Sequence, residues 1–173
     1  AMFAMNAGDA ERAIGLQREV IEKEIRLYGE DSIKVADSRL NLSAIASGVG
    51  DHQLGWDAAQ LAMRHYERAG KTDTVGYAQL LGNSSSCARK LGRPQEAEEL
   101  ARRTLDILAS KLGDGHAYIA TALLMVALAI EDQGRLEDAR TEALQASAVL
   151  EMAKGPEYQG LIEISMVLAR IER

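Results

Sequence analysis

Gly92-Arg93-Pro94-Gln95-Glu96-Ala97 returns forty-two residues later as Gly134-Arg135-Leu136-Glu137-Asp138-Ala139. The same step backward reaches Gly50 and then Gly8, which opens Gly8-Asp9-Ala10-Glu11-Arg12-Ala13. A second glycine ladder shares the step: Gly29, Gly113 and Gly155, with the missing member at Lys71, beside Gly70. Ala36, Ala78 and Ala120 follow it too, preceded by Val35, Tyr77 and Ile119. A fixed period of this size marks a repeat architecture, in which each unit buries its apolar face only by stacking on the next.

Between the glycines the chain reads as helix. Ala97, Leu100, Ala101, Leu105 and Leu108 recur at three- and four-residue spacing, so they share one face. The stretch from Tyr118 to Ile130 is apolar on nearly every side, the pattern of a helix buried between neighbours. No alternating run bounded by hairpin dipeptides points to a strand. Glycine ends a helix readily because it adopts the left-handed conformation, and Pro94 and Pro156 stand where a helix start tolerates a missing N–H. Helices are expected at about 10–28, 32–48, 52–69, 73–91, 94–112, 116–132, 135–153 and 157–172, two per period.

Composition agrees with that layout and narrows the function. The 173 residues are 47% hydrophobic and 27% charged, with 15 Gly, two Pro and few aromatics. Acidic residues outnumber basic ones 26 to 20, a formal net charge of −6, whereas a phosphate-binding surface calls for a basic excess. Nucleic acid is therefore not the expected partner. No apolar run is long enough to span a membrane, and no signal peptide is visible. The lone Cys87 cannot form an intrachain disulfide and points to a reducing compartment, the cytoplasm.

At the turns the sequence resembles the tetratricopeptide family in its long, forty-two-residue form, as in kinesin light chains and many bacterial signalling proteins. That form carries L-G-x-D-H-P-x-V-A at one turn, N-L-A on the first helix, and Q-G-K/R-x-x-E-A opening the second. Leu112-Gly113-Asp114-Gly115-His116-Ala117-Tyr118-Ile119-Ala120 keeps the Leu, Gly, His and final Ala, and Asn41-Leu42-Ser43 stands for N-L-A. Gln133-Gly134-Arg135-Leu136-Glu137-Asp138-Ala139 fits the third motif. Two departures are expected to loosen the packing: Gly55 where an Ala belongs, and Asn83-Ser84-Ser85 in place of N-L-A.

The resemblance implies an all-α, right-handed superhelix of about 7–8 helices in antiparallel hairpins, with first helices lining the concave side. The chain divides into a half repeat at about 1–29, full repeats at about 30–71, 72–113 and 114–155, and a terminal helix at 156–173. Both ends read as incomplete repeats, as in an internal piece of a longer protein.

No catalytic constellation emerges. Gly70-Lys71-Thr72 copies the end of a phosphate loop, but the first glycine of that motif would have to be His65. His52, His65 and His116 are scattered without ligand spacing, so no metal or other cofactor is expected. Cys87 reads as a small buried thiol, and His116 as the turn histidine of the family.

What remains is the groove. In related solenoids the Asn of N-L-A faces it and hydrogen-bonds a peptide backbone or carboxylate; here that position holds Asn41, Asn83, Met125 and Val167. An amide there equally suits helix-to-helix bonding within the stack. The candidate peptide-binding set is Asn41, Gln79, Asn83, Ser86, Arg89, Leu124, Met125 and Leu128, with Asp37, Leu40, Lys90, Glu163, Met166 and Arg170 as neighbours. The Leu124, Met125 and Leu128 cluster suggests an apolar floor, or burial against another chain. The expected function is non-catalytic capture of a peptide or helix from a protein partner. Self-association into a homodimer, or a sensor role in a larger bacterial signalling protein, are the alternatives.

Overall fold

The computed structural model describes residues 7–172, and among them are eight α-helices and no strand. They are α1 (Ala7–Tyr28), α2 (Ile33–Gly48), α3 (His52–Arg68), α4 (Val75–Lys90), α5 (Pro94–Leu112), α6 (Ala117–Glu131), α7 (Leu136–Lys154) and α8 (Gly160–Ile171). Residues 1–6 and 173 of the expected end segments lie outside the described residues.

The two glycine ladders make two different turns. Gly50, Gly92 and Gly134 close the even-numbered helices in a Schellman geometry: at the second, Gly92 N–H donates to Arg89 and Arg93 N–H to the Ala88 carbonyl at 2.9 Å. Gly113 instead combines φ +80° with ψ 156°, a region essentially confined to glycine. Its N–H bonds Ala109, and its carbonyl accepts from His116. Gly70 stands one residue off this second ladder because it uses the Schellman pattern, with Lys71 N–H on the Tyr66 carbonyl. Gly8 departs from expectation, since it lies inside α1 rather than at a turn.

Ser32, Thr74 and His116, each forty-two residues apart, cap the N-termini of α2, α4 and α6 with a side-chain acceptor. The fourth member of that column is Tyr158, which lacks a short acceptor. Accordingly α8 starts at Gly160, three residues later than the sequence pattern predicts, with no side-chain cap.

Helices α2, α4 and α6 each pack on both flanking odd-numbered helices, α8 packs on α7, and α2, α4, α6 and α8 also touch one another in series. No such contact joins the odd-numbered helices. The array therefore curves, with even helices inside and odd helices outside, as a solenoid does. Small residues allow the close approach: Ala36, Ala46, Ala59, Ala78, Ala97 and Ala127 are fully buried.

The two departures from the repeat motif are packed, not loose. A methyl on Gly55 would sit 2.9 Å from Cys87 Sγ and 3.2 Å from the Ser43 carbonyl oxygen, so Cys87 of α4 already fills the space. Ser85 is buried and donates to the Ala97 carbonyl at 2.8 Å, tying α4 to α5.

A polar pair interrupts the core of the first complete hairpin. Arg39 and His65 are both buried; Arg39 donates one guanidinium N–H to His65 Nε2 and another to Glu30. Asp31 lies 3.5 Å from His65 Nδ1 and pairs with Arg68 at 2.7 Å. Burial first, and the Arg39 charge second, hold the His65 imidazole below its ordinary pKa, with Asp31 and Glu30 partly opposing them.

Candidate functional site

The inner face of α4 and α6 encloses a pocket of about 190 Å³. Gly82, Ala78, Thr104, Leu108, Ala122 and Met125 form its walls and floor; Gln79, Asn83, Tyr118 and Thr121 line its mouth. Thr104 donates its hydroxyl to the Leu100 carbonyl at 2.9 Å. The hydroxyl also lies 3.4 Å from the Ala78 carbonyl of α4, so it is spent on backbone acceptors and the γ-methyl remains to face the pocket near Gly82.

Across the ridge made by Tyr118 and Thr121 lies a wider cavity of about 610 Å³ between α6, α7 and α8. Leu124, Leu150 and Ile164 supply its apolar side, and His116, Lys154 and Glu163 its polar one. The groove thus offers a small apolar hole and a larger mixed one on either side of two exposed residues of α6.

Of the residues singled out from sequence, Gln79, Asn83 and Met125 come together around the smaller pocket. Leu124 is buried under the larger one. Asn41 is exposed on α2, one hairpin away from the smaller pocket and two from the larger. Ser86 and Leu128 are half-buried further along α4 and α6 and line neither pocket. Arg89 is already engaged: its guanidinium donates to Asp132 at the end of α6, at 3.2 Å. Arg170 of α8 pairs in the same manner with Glu131 of α6. These ion pairs stitch the inner helices together at one edge and leave the pocket rim to uncharged groups.

Tyr118, Thr121 and Gly82 were not singled out from the sequence. Tyr118 and Thr121 stand near the start of α6, where the apolar pattern draws attention to the buried side. Gly82 reads along the sequence as an ordinary interior helix residue, and only the pocket brings it to notice.

Cys87 is buried, and burial raises its thiol pKa, so it presents no reactive thiolate. Among the described residues, no group of three or more His, Cys, Asp or Glu side chains is placed to hold a metal ion. No helix among them is long and apolar enough to cross a membrane.

The tetratricopeptide repeat family model matches residues 88–118, the end of α4 through α5 into the start of α6. This stretch is similar to a tetratricopeptide repeat. The resemblance noted at the turn motifs therefore holds, and the fold of the whole array is of the same type. BtubC (BKLC) from P. vanneervenii superposes with a TM-score of 0.83 at 16% identity, over 95% of this chain and 65% of that one. A Podosopora anserina protein described as a kinesin light chain, with nearly identical TPR-like repeats, gives 0.78 at 17% identity, over 95% and 78%. Its Q17M form gives 0.79 at 17% identity, over 95% and 77%. This chain thus spans slightly less than two thirds of the BtubC chain. No curated protein matches it in sequence. Repeats of this type are in general protein–protein interaction modules, and typically scaffolds without catalytic activity.

Proposed function

We propose that this chain is a non-catalytic binding module that takes a peptide of a protein partner along its concave face. The observation that carries this reading is the convergence of Gln79, Asn83 and Met125 on one pocket between α4 and α6. Two primary amides at an apolar hole form a usable combination: each can donate to and accept from an extended peptide backbone, while the hole takes a side chain. Asn41 extends the amide row by one hairpin on α2. Leu124 contributes to the second cavity, and Ser86 and Leu128 line the path beyond the pocket.

The repeat division supports the same reading, with full repeats at 30–71, 72–113 and 114–155 each contributing one inner helix. The buried free thiol of Cys87 suits a reducing compartment such as the cytoplasm. Selecting peptides from a random library on the chain and measuring their affinities tests this reading. Replacing Gln79 and Asn83 together by Ala is expected to weaken the best binders about tenfold or more, because each lost amide–backbone bond is worth about 1 kcal/mol or somewhat more. Affinities unchanged by that double replacement move the site elsewhere.

A second reading, self-association, draws on the outer ends. Ile162 and Met166 of α8 are 62% and 65% exposed, yet their repeat equivalents Ala120 and Leu124 are buried at 2% and 9%. On α1, Leu16 and Val20 are exposed where Ala58 and Ala62 are buried. One end shows the face of an inner helix and the other that of an outer helix, so α1 of a second copy would complete a hairpin with α8. Mass by light scattering that rises with concentration, and is held down by Met166→Asp, supports this reading; a constant monomer mass rules it out.

A further inference from the structure

Two faces that the interior helices bury are open in this chain, one on α8 and one on α1. Ile162, Met166 and Ala169 of α8 are exposed, whereas Ala120, Leu124 and Ala127, one period back, are buried. A hollow of about 410 Å³ lies on this face of α8, bordered by Tyr158, Ile162, Ser165, Met166 and Ala169. Leu16 and Val20 of α1 are exposed, whereas Ala58 and Ala62 of α3, and Leu100 and Thr104 of α5, are buried.

Contacts inside the complete hairpins show how the two faces would meet. Moved on by four periods, α1 takes the place of an odd-numbered helix after α8. The Thr104 hydroxyl of α5 lies 3.4 Å from the Ala78 carbonyl of α4, and its methyl 3.7 Å from a Cβ built on Gly82. In those columns stand Val20 on one side and Ile162 and Met166 on the other, so the contact becomes apolar. Small residues mark the closest approach in each hairpin. A Cβ on Gly55 lies 3.2 Å from the Ser43 carbonyl oxygen, and Ser85 donates to the Ala97 carbonyl at 2.8 Å. At the seam the same columns hold Ala13 and Ala169. Charge agrees as well. Asp31, before α2, pairs with Arg68 of α3 at 2.7 Å, and Asp73, before α4, pairs with Lys111 of α5. The seam joins Glu157, before α8, to Arg26 of α1, whose own exposed contact to Glu22 at 3.9 Å is too loose to hold it. One column opposes the contact: Glu24 faces Glu163 where Tyr66 donates to Asp37.

We propose, on the self-association reading above, that copies of this chain join head to tail. In this geometry α1 of one copy completes a hairpin against α8 of the copy before it, in the repeat register. The two faces are different patches at opposite ends of the array, so the contact is heterologous. Each copy that docks by α1 still offers its own α8, and the superhelix continues from chain to chain as an open filament.

Sedimentation velocity of the chain over a range of concentrations tests this, with a mass expected to rise past two chains without a plateau. Val20→Asp blocks the α1 face and Met166→Asp the α8 face; both side chains are exposed, so each variant should keep the original Tm. Each alone should weaken association about tenfold or more, because a charge replaces a buried apolar group. Mixed in equal amounts, the two variants should form a pair that grows no further, since one free α1 meets one free α8 and the other ends are blocked. Arg26→Glu and Glu157→Arg should each weaken association about two- to fivefold and together restore it, and Glu24→Gln should strengthen it by a similar factor. If the original chain associates, a plateau at two chains, or variants that do not complement, overturns the head-to-tail contact and leaves self-association standing. A monomer at every concentration assigns both faces to another occupant and overturns both.

Discussion

Gly55→Ala, which installs the residue that the other copies carry as Ala13, Ala97 and Ala139, is expected to destabilise the fold by about 1–3 kcal/mol. The usual effect of such a change inside a helix is the opposite, a gain of about 0.5–1 kcal/mol. The sign reverses because the new methyl would lie 2.9 Å from Cys87 Sγ and within 3.3 Å of two backbone atoms of α2. Ala97 tolerates its methyl in a core cluster where Ala129 stands in the column of Cys87. Size has been exchanged between the columns: glycine with cysteine in one copy, alanine with alanine in the next. Cys87→Ala alone should cost about 1 kcal/mol for the lost packing. The double variant rebuilds the Ala97 and Ala129 arrangement and should return to within about 1 kcal/mol of the original, a coupling of about 1–3 kcal/mol. Urea unfolding of the four proteins checks this, and additive losses would show that the thiol does not set the constraint.

Replacing Arg39 by Leu and His65 by Ile together is expected to stabilise the chain by about 1–4 kcal/mol. These are the residues at the next repeat's equivalent positions, Leu81 and Ile107, both within or against the core there. A buried guanidinium–imidazole pair sacrifices solvation that its mutual hydrogen bond only partly restores. Either replacement alone leaves a buried polar group without its partner and should cost about 1–3 kcal/mol. The pair also imposes a pH dependence. Folding holds the His65 pKa below its ordinary 6.5, so the unfolded chain binds more protons in that range. Stability is therefore complete above about pH 6.5 and falls as the pH drops below it. Thermal unfolding from neutral to mildly acidic pH should show this fall, and the double variant should lose that component. An unchanged pH profile would mean that other groups govern the acid limb.

The architecture was legible because its determinants are local and recur. Glycines at positive φ and the cap residues Ser32, Thr74 and His116 mark each helix end, and the expected helix limits agree within a few residues. The late start of α8 was missed where the column of cap residues loses its short acceptor, and Gly8 was missed because it lies within α1 instead of at a turn. The groove was legible in part. Asn83 and Gln79 stood out by residue type, and Met125 by the apolar run it belongs to. Gly82 did not, because a missing side chain carries no pattern along the sequence. Arg39 and His65 escaped for the converse reason. A charged residue on a helix ordinarily reads as surface, and only its stacking against Leu81 and Leu123 in the repeat marks the position as core.

Methionine methyl groups report on every surface at issue. Met125 lines the pocket, Met63 is buried in the core, and Met152 and Met166 are exposed away from it. With the methionine methyls carbon-13 labelled and a selected peptide added, binding in the groove predicts a saturable shift of the Met125 resonance, with Met63, Met152 and Met166 unmoved. A saturable shift of Met166 with Met125 still would place the interaction on the open end of the solenoid and refute binding in the groove.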